Sequence, residues 1–598
     1  ATLAGKLRLF VLLAPHLDGG GQGNTAQIAE IDGREVLTGY RNDAWLACAA
    51  TAPFLRASCG FVGASDGWTD LNLHRDMTWE FDLAAHGNVA LIGEVDLSGS
   101  NEFTLGLGFG DHLHDAATSL FHSLGVPFEE HATEFDAQWV QACGHALPLH
   151  EQSGDDGRLF RSSHAVLRAH EDKNYPGAMI ASLSIPWGDA KGDEDLGGYH
   201  LVWPRDMVNT TTAFLAAGNL NTPLRALIYL AVAQRADGGF HQNFWLDGEP
   251  YWQGVQLDET AFPILLAWRL HEAGALADYD PYPMVRSAAA FLVRQGPATQ
   301  QERWEENSGY SPSTLAVNIA ALVCAAQFAS ERGDGETADY LLDSADFLEC
   351  HVERWTVTDR GTLLDGVPRH YIRIHPTDPD DPRADENPNR GTIVIKNRLP
   401  GERYEFPANR IVDAGFLELV RYGIRAPGDP LIEDSLRVVD SQLKVDTPSG
   451  PVWRRYNHDG YGEDDHGNPF HGAGVGHAWP LLTGERGHYE LAAGRDVQPF
   501  LQALEGFATG CGLLPEQVWD RDDLPEKFLF FGKPTGAAMP LCWAHAEYVK
   551  LLRSARDGQV FDRVQAVADR YLGNRSDCKK LEVWKFNRQV DRVETGYT

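Results

Sequence analysis

The stretch DMVNTTTAFLAAGNLNTPLRALIYLAVAQR, residues 206–235, decides how the larger part of this chain folds. It predicts two helices, over residues 206–218 and 223–235, with only a short link between them. Helices joined by so few residues pack side by side and run in opposite directions. The stretch therefore predicts a helical hairpin.

The helical pattern continues from residue 158 onward. Leu341, Ala345, Leu348 and Val352 step by four and three residues, which places them on one face of a helix. The predicted helices cover residues 158–171, 206–218, 223–235, 257–276, 283–296, 313–331, 336–356, 412–424, 430–445, 476–493, 497–510, 538–555 and 560–573. This part of the chain is therefore predicted to be mainly α.

The connections between these helices alternate between long and short. The long ones span about residues 172–205, 236–256, 297–312, 357–411, 446–475 and 511–537. Six hairpins in this order predict an (α/α)6 barrel of twelve helices, with every long connection at one end and residues 560–573 outside the ring or at its end. An open solenoid of helix pairs is the competing arrangement. It is disfavoured because no repeat of about 34 to 47 residues is visible.

The first part of the chain has a pattern typical of strands. Leu9, Val11 and Leu13 recur at every second position, the period of a half-buried strand. Asp32-Gly33, between two apolar runs, is a hairpin signal. The predicted organisation is a β-sandwich domain over residues 1–112, a helical linker over 113–157 and the barrel domain over 158–598.

Composition and charge narrow the range of possible functions. The net charge of −34 argues against nucleic acid and anionic membrane surfaces as partners, because both are bound through clusters of Lys and Arg. No apolar run approaches the roughly 20 residues of a membrane-spanning helix. The eight cysteines contain no CxxC pair and no His/Cys group at zinc spacing, so no zinc finger is predicted. These properties suit a soluble enzyme that acts on a neutral substrate.

Two of the long connections place a glutamate near a tryptophan, in RWEENSG (303–309) and LLPEQVWD (513–520). Hydrolysis of a sugar acetal needs two carboxyl groups, one to protonate the departing oxygen and one to activate water or attack the sugar carbon. Taken alone, a Trp-Glu-Glu triplet is more often a helix start than an active site. Glu305 and Glu516 become candidates because both lie in long connections of the predicted barrel.

Tryptophan is concentrated in the same connections. Seven of the sixteen tryptophans lie in five of them, which is more than core packing requires. A carbohydrate cleft explains this, with aromatic rings stacking on sugars and an Arg/Asp pair binding hydroxyl groups. Asp206 also fits a helix N-cap or a structural ion pair with Arg205. The candidate substrate contacts are Trp203, Arg205, Asp206, Trp252, Trp304, Glu306, Trp453 and Trp519.

Five motifs stand in order along the barrel region. They are GGYHLVWPRDM (197–207), QNFWLDGEPYWQGVQLDETAFPILLAWRL (242–270), RWEENSG (303–309), WPLLTGERG (479–487) and LLPEQVWD (513–520). Together they resemble glycoside hydrolase family 15, in its branch of bacterial glucoamylases and glucodextranases. The resemblance covers residues 158–598. In addition, GFVGASDGWTDL (60–71) is similar to the N-terminal β-sandwich domain of that branch.

The resemblance implies roles for the catalytic candidates. Glu305 matches the general acid of the family, and Glu516 matches its general base. Arg205 and Asp206 match the pair that hydrogen-bonds the non-reducing terminal glucose. The family inverts the anomeric carbon, so one glutamate protonates the glycosidic oxygen while the other activates water on the opposite face.

The resemblance also implies the substrate. Trp252 matches an aromatic ring beside the catalytic subsite, and Glu306 matches a secondary substrate contact. The expected activity is release of β-D-glucose from non-reducing ends of α-1,4-glucans such as starch and maltooligosaccharides. A glucodextranase-type α-1,6-glucosidase is the alternative, and a trehalase or a carbohydrate phosphorylase is less favoured. The chemistry needs no cofactor, although the acidic loops leave room for a structural calcium.

The ends of the chain carry two further expectations. In the resembling branch the β-sandwich domain is substantially longer than residues 1–112. An incomplete sandwich is therefore expected, with an open sheet edge of the kind that favours aggregation. The first part of the domain is expected either to have been cleaved or deleted or to be supplied by another chain. Members of the family that degrade polymers are commonly exported, so a secreted or periplasmic location is expected.

Overall fold

The computed structural model describes residues 7–100, 102–144, 146–188, 198–379 and 387–573. Contacts divide the described residues into two compact units, one up to Ala142 and the other from Cys143 onward. The predicted end of the barrel domain at residue 598 lies outside the described residues, as does Gly197 at the start of the first motif.

Strands dominate the described part of the first unit. They are β1 (Leu9–Leu13), β2 (Asn24–Ile31), β3 (Arg34–Arg41), β4 (Ala44–Ala50), β5 (Phe54–Phe61), β6 (Leu83–Gly87), β7 (Val89–Val95) and β8 (Leu105–Gly110). The helices that begin in it are α1 (Gly67–His74), α2 (Leu113–Leu124) and α3 (Phe128–Cys143).

These strands form the predicted sandwich of two antiparallel sheets. One sheet has the order β1-β7-β5 and the other the order β6-β2-β3-β4-β8. Their facing sides share a buried core in which Leu37 packs with Leu91 and Val95. The turn between β2 and β3 is the predicted Asp32-Gly33 turn, with φ values of 53° and 71°. Two successive positive φ values are what a type I′ hairpin turn requires.

Helix α2 packs on the other face of the larger sheet, where Ala116 and Leu120 join the same apolar cluster as Val36. The close approach depends on Gly108 in β8, since a Cβ there would lie 2.1 Å from the Ala116 carbonyl oxygen. Helix α2 is therefore part of the sandwich unit, whereas the sequence placed it in a linker over residues 113–157. The apolar face of the helix decides this, because it needs a sheet to cover it.

Helices dominate the second unit. Within the described residues they are α4 (Arg158–Ala169), α5 (Pro204–Ala216), α6 (Asn221–Ala233), α7 (Leu257–Glu272), α8 (Tyr282–Gln295), α9 (Pro312–Glu331), α10 (Gly335–Thr356), α11 (Glu418–Arg421), α12 (Pro430–Leu443), α13 (Pro480–Ala492), α14 (Gln498–Phe507), α15 (Cys542–Asp557) and α16 (Gln565–Tyr571). Each predicted helix is present. The one predicted over 412–424 is a 3-10 turn, Gly415–Leu417, that runs into the short α11.

Helices α5, α7, α9, α11, α13 and α15 form a closed ring. Each packs against the next, and α15 returns to α5. Helices α4, α6, α8, α10, α12 and α14 alternate with them along the chain and form the outer layer. Every residue of α5 except Asp206 is buried, as expected for a helix enclosed on all sides. The predicted (α/α)6 barrel is confirmed.

Helix α9 corrects one expectation from the sequence. It has 20 residues and a window with a mean hydropathy of 1.5, so by length and composition it could cross a membrane. However, 89% of that window is buried inside the protein. It packs against α7, α8, α10 and α11, which explains its composition as that of a core helix.

The long connections lead into the N-termini of the inner helices, so they meet at one end of the ring. Their short strands are β9 (Asn243–Phe244), β10 (Pro250–Trp252), β11 (Gly309–Tyr310), β12 (Val357–Thr358), β13 (His370–Tyr371), β14 (His375–Pro376), β15 (Thr392–Val394), β16 (Glu405–Pro407), β17 (Lys444–Thr447), β18 (Gly450–Arg454) and β19 (Ala478–Trp479). At the opposite end α16 packs against α9, and Asp562 pairs with Arg421 (2.5 Å) and Lys550 (3.2 Å). Helix α16 and the residues that lead into it thus cover the base of the ring.

Candidate active site

The first turns of the inner helices bring charged residues to the open end of the ring. Pro204 occupies the first turn of α5, where its fixed φ favours helix initiation, and Arg205 follows it. Asp258 and Glu259 occupy the first turn of α7. Helix N-termini carry a partial positive charge, which stabilises carboxylates placed there. The ring therefore provides a suitable environment for several acids at this end.

Glu305 lies in a turn that backbone hydrogen bonds define. The Trp304 N–H donates to the Glu302 carboxylate at 2.8 Å, and the Glu305 N–H donates to the Glu302 carbonyl oxygen at 2.7 Å. Glu305 has a φ of 68°, in the left-handed region that residues other than glycine rarely adopt. Such a conformation costs about 1–3 kcal/mol and is typical of functional sites. The turn fixes the backbone from which the Glu305 side chain projects.

Both oxygens of the Glu305 carboxyl group accept a hydrogen bond. Arg205 Nη2 donates to Oε1 at 3.2 Å, and Gln242 Nε2 donates to Oε2 at 2.8 Å. Burial raises the pKa of Glu305, while the charge of Arg205 and the hydrogen bond from Gln242 partly oppose this rise. A glutamate with a raised pKa keeps its proton at a higher pH than an exposed one, which a general acid requires.

The carboxyl group of Glu516 has different hydrogen-bond partners from that of Glu305. The Tyr199 hydroxyl donates to its Oε1 at 2.5 Å, and its Oε2 is buried with no hydrogen-bond partner among the described residues. Burial raises the pKa of Glu516 to about 7, opposed by the Tyr199 hydrogen bond and the charge of Arg455. The charge of Asp206 adds to the rise, and Asp206 in turn is affected by Glu305. The three acids therefore share one electrostatic site.

Arg205 is buried among acidic and amide groups. Its Nη1 donates to Gln256 at 2.7 Å and to Asp258 at 2.9 Å, and lies 3.2 Å from Glu259. Asp206 lies beside it, with Oδ2 3.8 Å from the arginine Nε. Burial raises the pKa of Asp206 to about 6. Asp206 stands inside the first turn of α5 and not at its N-cap, so the interpretation as a helix cap is wrong.

Trp304 is fixed on several sides. Its Nε1 donates to Asp413 at 3.2 Å, and its ring meets Trp479 edge to face with centroids 5.6 Å apart. The Arg303 guanidinium lies 4.4 Å from the centroid of its ring. Little of Trp304 is exposed, so it supports the wall next to Glu305 more than it offers a broad stacking surface.

Arg303 fixes the same turn to the inner ring. It donates to Glu418, on α11, and to Glu485, on α13, each at 3.0 Å. Burial raises the pKa of Glu418 to about 8, with the charge of Arg303 opposing the rise. The turn that carries Glu305 is thus bound to two helices of the barrel by a buried ion-pair cluster.

Glu306 points to a different set of partners. The Tyr456 hydroxyl donates to it at 2.5 Å, Arg373 Nη2 at 3.2 Å, and Arg455 Nη2 lies 3.5 Å away. Burial raises the pKa of Glu306, and the two arginines oppose the rise. Sequence reasoning did not place Arg373 here, because the fourth long connection carries neither a tryptophan nor a glutamate pair as a signal.

Aromatic rings line the site beside Glu516. The centroid of the Trp203 ring lies 5.9 Å from that of Tyr199 and 6.3 Å from that of Trp252. Trp252 is 47% exposed, whereas Trp203 is buried. Trp252 is therefore the ring of this group that is free to stack on a sugar.

Two candidates lie apart from these residues. Trp453 donates its Nε1 to Asp440 of α12 at 2.9 Å, and its ring stacks on Phe500 of α14 with centroids 6.3 Å apart. Trp519 is fully buried and donates its Nε1 to the Asp522 carbonyl oxygen at 2.7 Å. Both are packing residues, which corrects the prediction that they contact substrate. A position in a long connection does not separate a ring that stacks on sugar from one that packs the connection itself.

Two residues that contact the catalytic candidates were not predicted. Tyr199 lies four residues before Trp203 in the first motif, and its aromatic character was a usable signal. Gln242 opens the second motif, where a single amide gives no chemical signal. Only the three-dimensional contact with Glu305 identifies it.

Comparisons with known proteins define the class of this fold and site as that of enzymes that hydrolyse glycosidic bonds. A model of the family described as Glycosyl hydrolases family 15 matches residues 159–553, and one described as Glucodextranase, domain N matches residues 1–143. This chain belongs to glycosyl hydrolases family 15.

Two known proteins are similar along most of the chain. A glucoamylase from Clostridium sp. (strain G0005) is 41% identical over 566 residues, which are 94% of this chain and 76% of the relative. A crystal structure of a bacterial glucoamylase complexed with acarbose superposes with a TM-score of 0.86 at 39% identity, over 96% of this chain and 81% of that one. The match to this structure and to the N-domain model agrees with the predicted combination of an (α/α)6 barrel and an N-terminal β-sandwich, which is confirmed.

Proposed function

We propose that this chain is an exo-acting glucosidase that removes glucose from non-reducing ends of α-1,4-glucans such as starch and maltooligosaccharides. The observation that carries the proposal is a pair of glutamates with complementary hydrogen bonding, one buried (Glu516) and one with a side chain that is 24% exposed (Glu305). Glu305 accepts a hydrogen bond at each oxygen, whereas Glu516 keeps Oε2 without a partner in the described part of the chain. Similarity to a relative named glucoamylase supports the substrate class.

The two glutamates divide the reaction. Glu305 protonates the glycosidic oxygen as the bond to the terminal glucose breaks. Glu516 takes a proton from the water that attacks the opposite face of the sugar, and its unpaired Oε2 is the atom suited to hold that water. The product of this inversion is β-D-glucose. An inverting pair of carboxyl groups stands about 6.5–9.5 Å apart, so that the water fits between.

The remaining site residues bind the sugar. Arg205 and Asp206 hold hydroxyl groups of the terminal glucose through charge-assisted hydrogen bonds. Trp252, which is half exposed, and Glu306 contact the sugar on the leaving side. A ring closed at its base by α16 offers a pocket, which admits the end of a glucan chain and not its middle.

Substitution of the two glutamates tests the mechanism. Glu305→Gln and Glu516→Gln should each lower kcat on maltose by at least about a hundredfold, the lower range for loss of a general acid or base. Circular dichroism and the thermal midpoint should change little, because glutamine has the same shape. A variant of either kind with near-normal turnover would remove that residue from the mechanism.

Product analysis tests the activity. Maltose, isomaltose, soluble starch, dextran and trehalose are compared as substrates, and NMR identifies the anomer that forms first. We expect β-D-glucose and the highest kcat/KM on α-1,4-linked substrates. Faster cleavage of isomaltose or dextran would assign a glucodextranase, and faster cleavage of trehalose a trehalase. A requirement for phosphate would assign a phosphorylase.

Location and cofactors belong to the same proposal. Starch is a polymer that is digested outside the cell, so we propose that the chain is secreted or periplasmic. Cell fractionation followed by activity assay checks this.

Hydrolysis catalysed by two carboxyl groups requires no cofactor. A calcium ion on the acidic loops would affect only the stability of the protein. Dialysis against a chelator followed by kcat measurement separates these roles.

A further inference from the structure

Glu302 builds the turn from which the proposed catalytic acid projects. Its Oε2 accepts the Trp304 N–H at 2.8 Å, and its carbonyl oxygen accepts the Glu305 N–H at 2.7 Å. Glu305 has a φ of 68°, and a residue other than glycine keeps such a conformation only where its surroundings hold it there. The position of the Glu302 carboxyl group therefore bears on the position of Glu305.

The other oxygen of Glu302 is held by an arginine of the fourth long connection. Arg373 Nη2 donates to Glu302 Oε1 at 2.7 Å, and both side chains are buried. Arginine is protonated throughout the working pH range, so it supplies a constant positive charge beside this carboxyl group. Arg373 thus fixes the group that closes the turn.

Arg373 stands on a rigid part of its connection. It lies between β13 and β14, and β14 pairs with β11, which follows the turn along the chain. The Arg373 N–H donates to the Ile411 carbonyl oxygen at 2.9 Å. The two paired strands approach closely at Gly309, where a Cβ would lie 2.0 Å from the His375 carbonyl oxygen. Backbone contacts therefore place the arginine beside the turn independently of its ion pairs.

The same guanidinium also holds the residue that follows the acid. Arg373 Nη2 donates to Glu306 at 3.2 Å, and the guanidinium carbon lies 3.7 Å from the centroid of the Tyr456 ring. The Tyr456 hydroxyl donates to the same Glu306 carboxyl group at 2.5 Å. Glu306 is thus bound by donors that are separate from those of Glu305.

We propose that Arg373 is a positioning residue for the general acid, which acts through Glu302 to set the place of Glu305 in the pocket. The inference rests on the proposed function, since it assumes that Glu305 is the general acid. Loss of the arginine should harm proton donation more than the rest of the reaction, because the acid has to lie within hydrogen-bond reach of the glycosidic oxygen. A residue that only stabilises the fold would affect every substrate alike.

Leaving groups of different basicity measure proton donation. In Arg373→Met we expect kcat on maltose to fall by about tenfold or more, a part of the factor that a general acid contributes. On α-D-glucosyl fluoride we expect a fall within about threefold, because fluoride is a weak base and departs with little help from an acid. Since Glu306 is proposed to contact the sugar on the leaving side, KM for maltose should rise as well.

A double variant tests whether the arginine acts through Glu302. Arg373→Met leaves the buried Glu302 carboxyl group without the hydrogen bond that the arginine donates. Adding Glu302→Gln removes the negative charge and keeps an oxygen for the Trp304 N–H. The double variant should therefore regain at least about threefold in kcat on maltose over Arg373→Met, as expected for two residues in direct contact.

Arg373→Lys gives a milder variant for the same comparison, and it replaces Arg373→Met if that variant does not fold. Lysine keeps the positive charge but lacks the planar fork of arginine, so it cannot bind Glu302 and Glu306 in the same geometry. We expect a smaller loss of kcat that is again greater on maltose than on the fluoride.

Arg425→Met is the matched control for loss of a buried arginine. Arg425 is buried and donates to two carboxyl groups of α10, Glu349 at 2.6 Å and Glu353 at 2.7 Å. This variant should lower the thermal midpoint, as Arg373→Met does. Its kcat should change by a similar factor on maltose and on the fluoride.

The outcomes separate the inference from the proposed function. Equal losses of kcat on maltose and on the fluoride in the Arg373 variants would overturn the positioning role and leave Arg373 as a residue that stabilises the fold. A double variant no faster on maltose than Arg373→Met would also overturn it, because the arginine would then not act through Glu302. A parent enzyme that cleaves neither maltose nor the fluoride would instead reject the proposed function.

Discussion

At the scale of single residues, Tyr199 sets the protonation of the proposed base. Its hydroxyl donates to Glu516 at 2.5 Å and contacts the Tyr461 hydroxyl at 2.9 Å. Burial raises the pKa of Glu516 to about 7, and the Tyr199 hydrogen bond limits this rise by favouring the carboxylate. A general base must be ionised, so kcat/KM should fall as the pH falls through this pKa.

Tyr199→Phe should therefore move the acidic limb of the kcat/KM profile to higher pH. A hydrogen bond to a charged group contributes about 1.5–3 kcal/mol and one pKa unit corresponds to about 1.4 kcal/mol, so a shift of about one to two units is expected. The position of the acidic limb is measured from kcat/KM for maltose hydrolysis between about pH 4 and about pH 9. A limb that stays in place, or moves to lower pH, would contradict the role assigned to Tyr199.

The sequence was sufficient for the charged members of the site and insufficient for their neutral partners. The sequence motifs alone indicate the chemistry of the charged residues, which are Glu305, Glu516, Arg205 and Asp206. Gln242 was not predictable in this way, because amides are common throughout a chain and acquire a role only through a contact. Catalytic acids can be proposed from their residue type and motif, whereas the neutral groups that contact them are identified only from distances in the structure.

At the scale of single elements, the turn that carries Glu305 depends on Arg303. This arginine lies between Glu418 and Glu485 and covers the Trp304 ring. All three side chains are buried, so removal of the arginine leaves both carboxyl groups without the hydrogen bonds that it donates. Breaking a buried ion pair in this way costs about 3–5 kcal/mol.

We expect Arg303→Met to lower the free energy of unfolding by about 3–5 kcal/mol at neutral pH, measured with urea. The loss should shrink as the pH falls, because burial raises the pKa of Glu418, and a protonated Glu418 no longer needs the positive charge of the arginine. Arg437→Met is the control, since the Arg437–Asp434 pair is exposed on both sides and should contribute less than about 1 kcal/mol. A similar loss in both variants would show that the buried ion-pair cluster contributes no more to the free energy of unfolding than an exposed ion pair.

At the scale of the whole molecule, closure of the ring depends on small residues where inner helices meet. A Cβ on Gly484 of α13 would lie 2.9 Å from the Glu547 Cβ of α15. A Cβ on Gly487 would lie 2.7 Å from Leu551 Cδ2 and 3.1 Å from the Phe500 Cβ. The alternation of long and short connections predicted the ring, but the sequence did not show where two helices would approach so closely.

Gly487→Leu should destabilise the barrel, because the added side chain has to displace α15 or α14. Overpacking of this kind costs about 1–3 kcal/mol, which thermal unfolding will detect as a lower midpoint. Gly494→Ala is a suitable comparison, since a Cβ there meets no atom within 4 Å, although its φ of +71° adds backbone strain. If Gly487→Leu unfolds at the parent temperature, the close approach of α13 to its neighbours is not needed for closure.

The division of the barrel into a self-contained ring and connections at one end has a consequence for how this architecture diversifies. The inner helices pack on one another and α16 covers their base, so a connection can change in length with little effect on them. Doubling the length of a flexible loop costs only about 0.6 kcal/mol in closure entropy. New substrate ranges are thus accessible to evolution, and to laboratory recombination, by exchange of a segment such as the β15–β16 hairpin while the same scaffold is inherited intact.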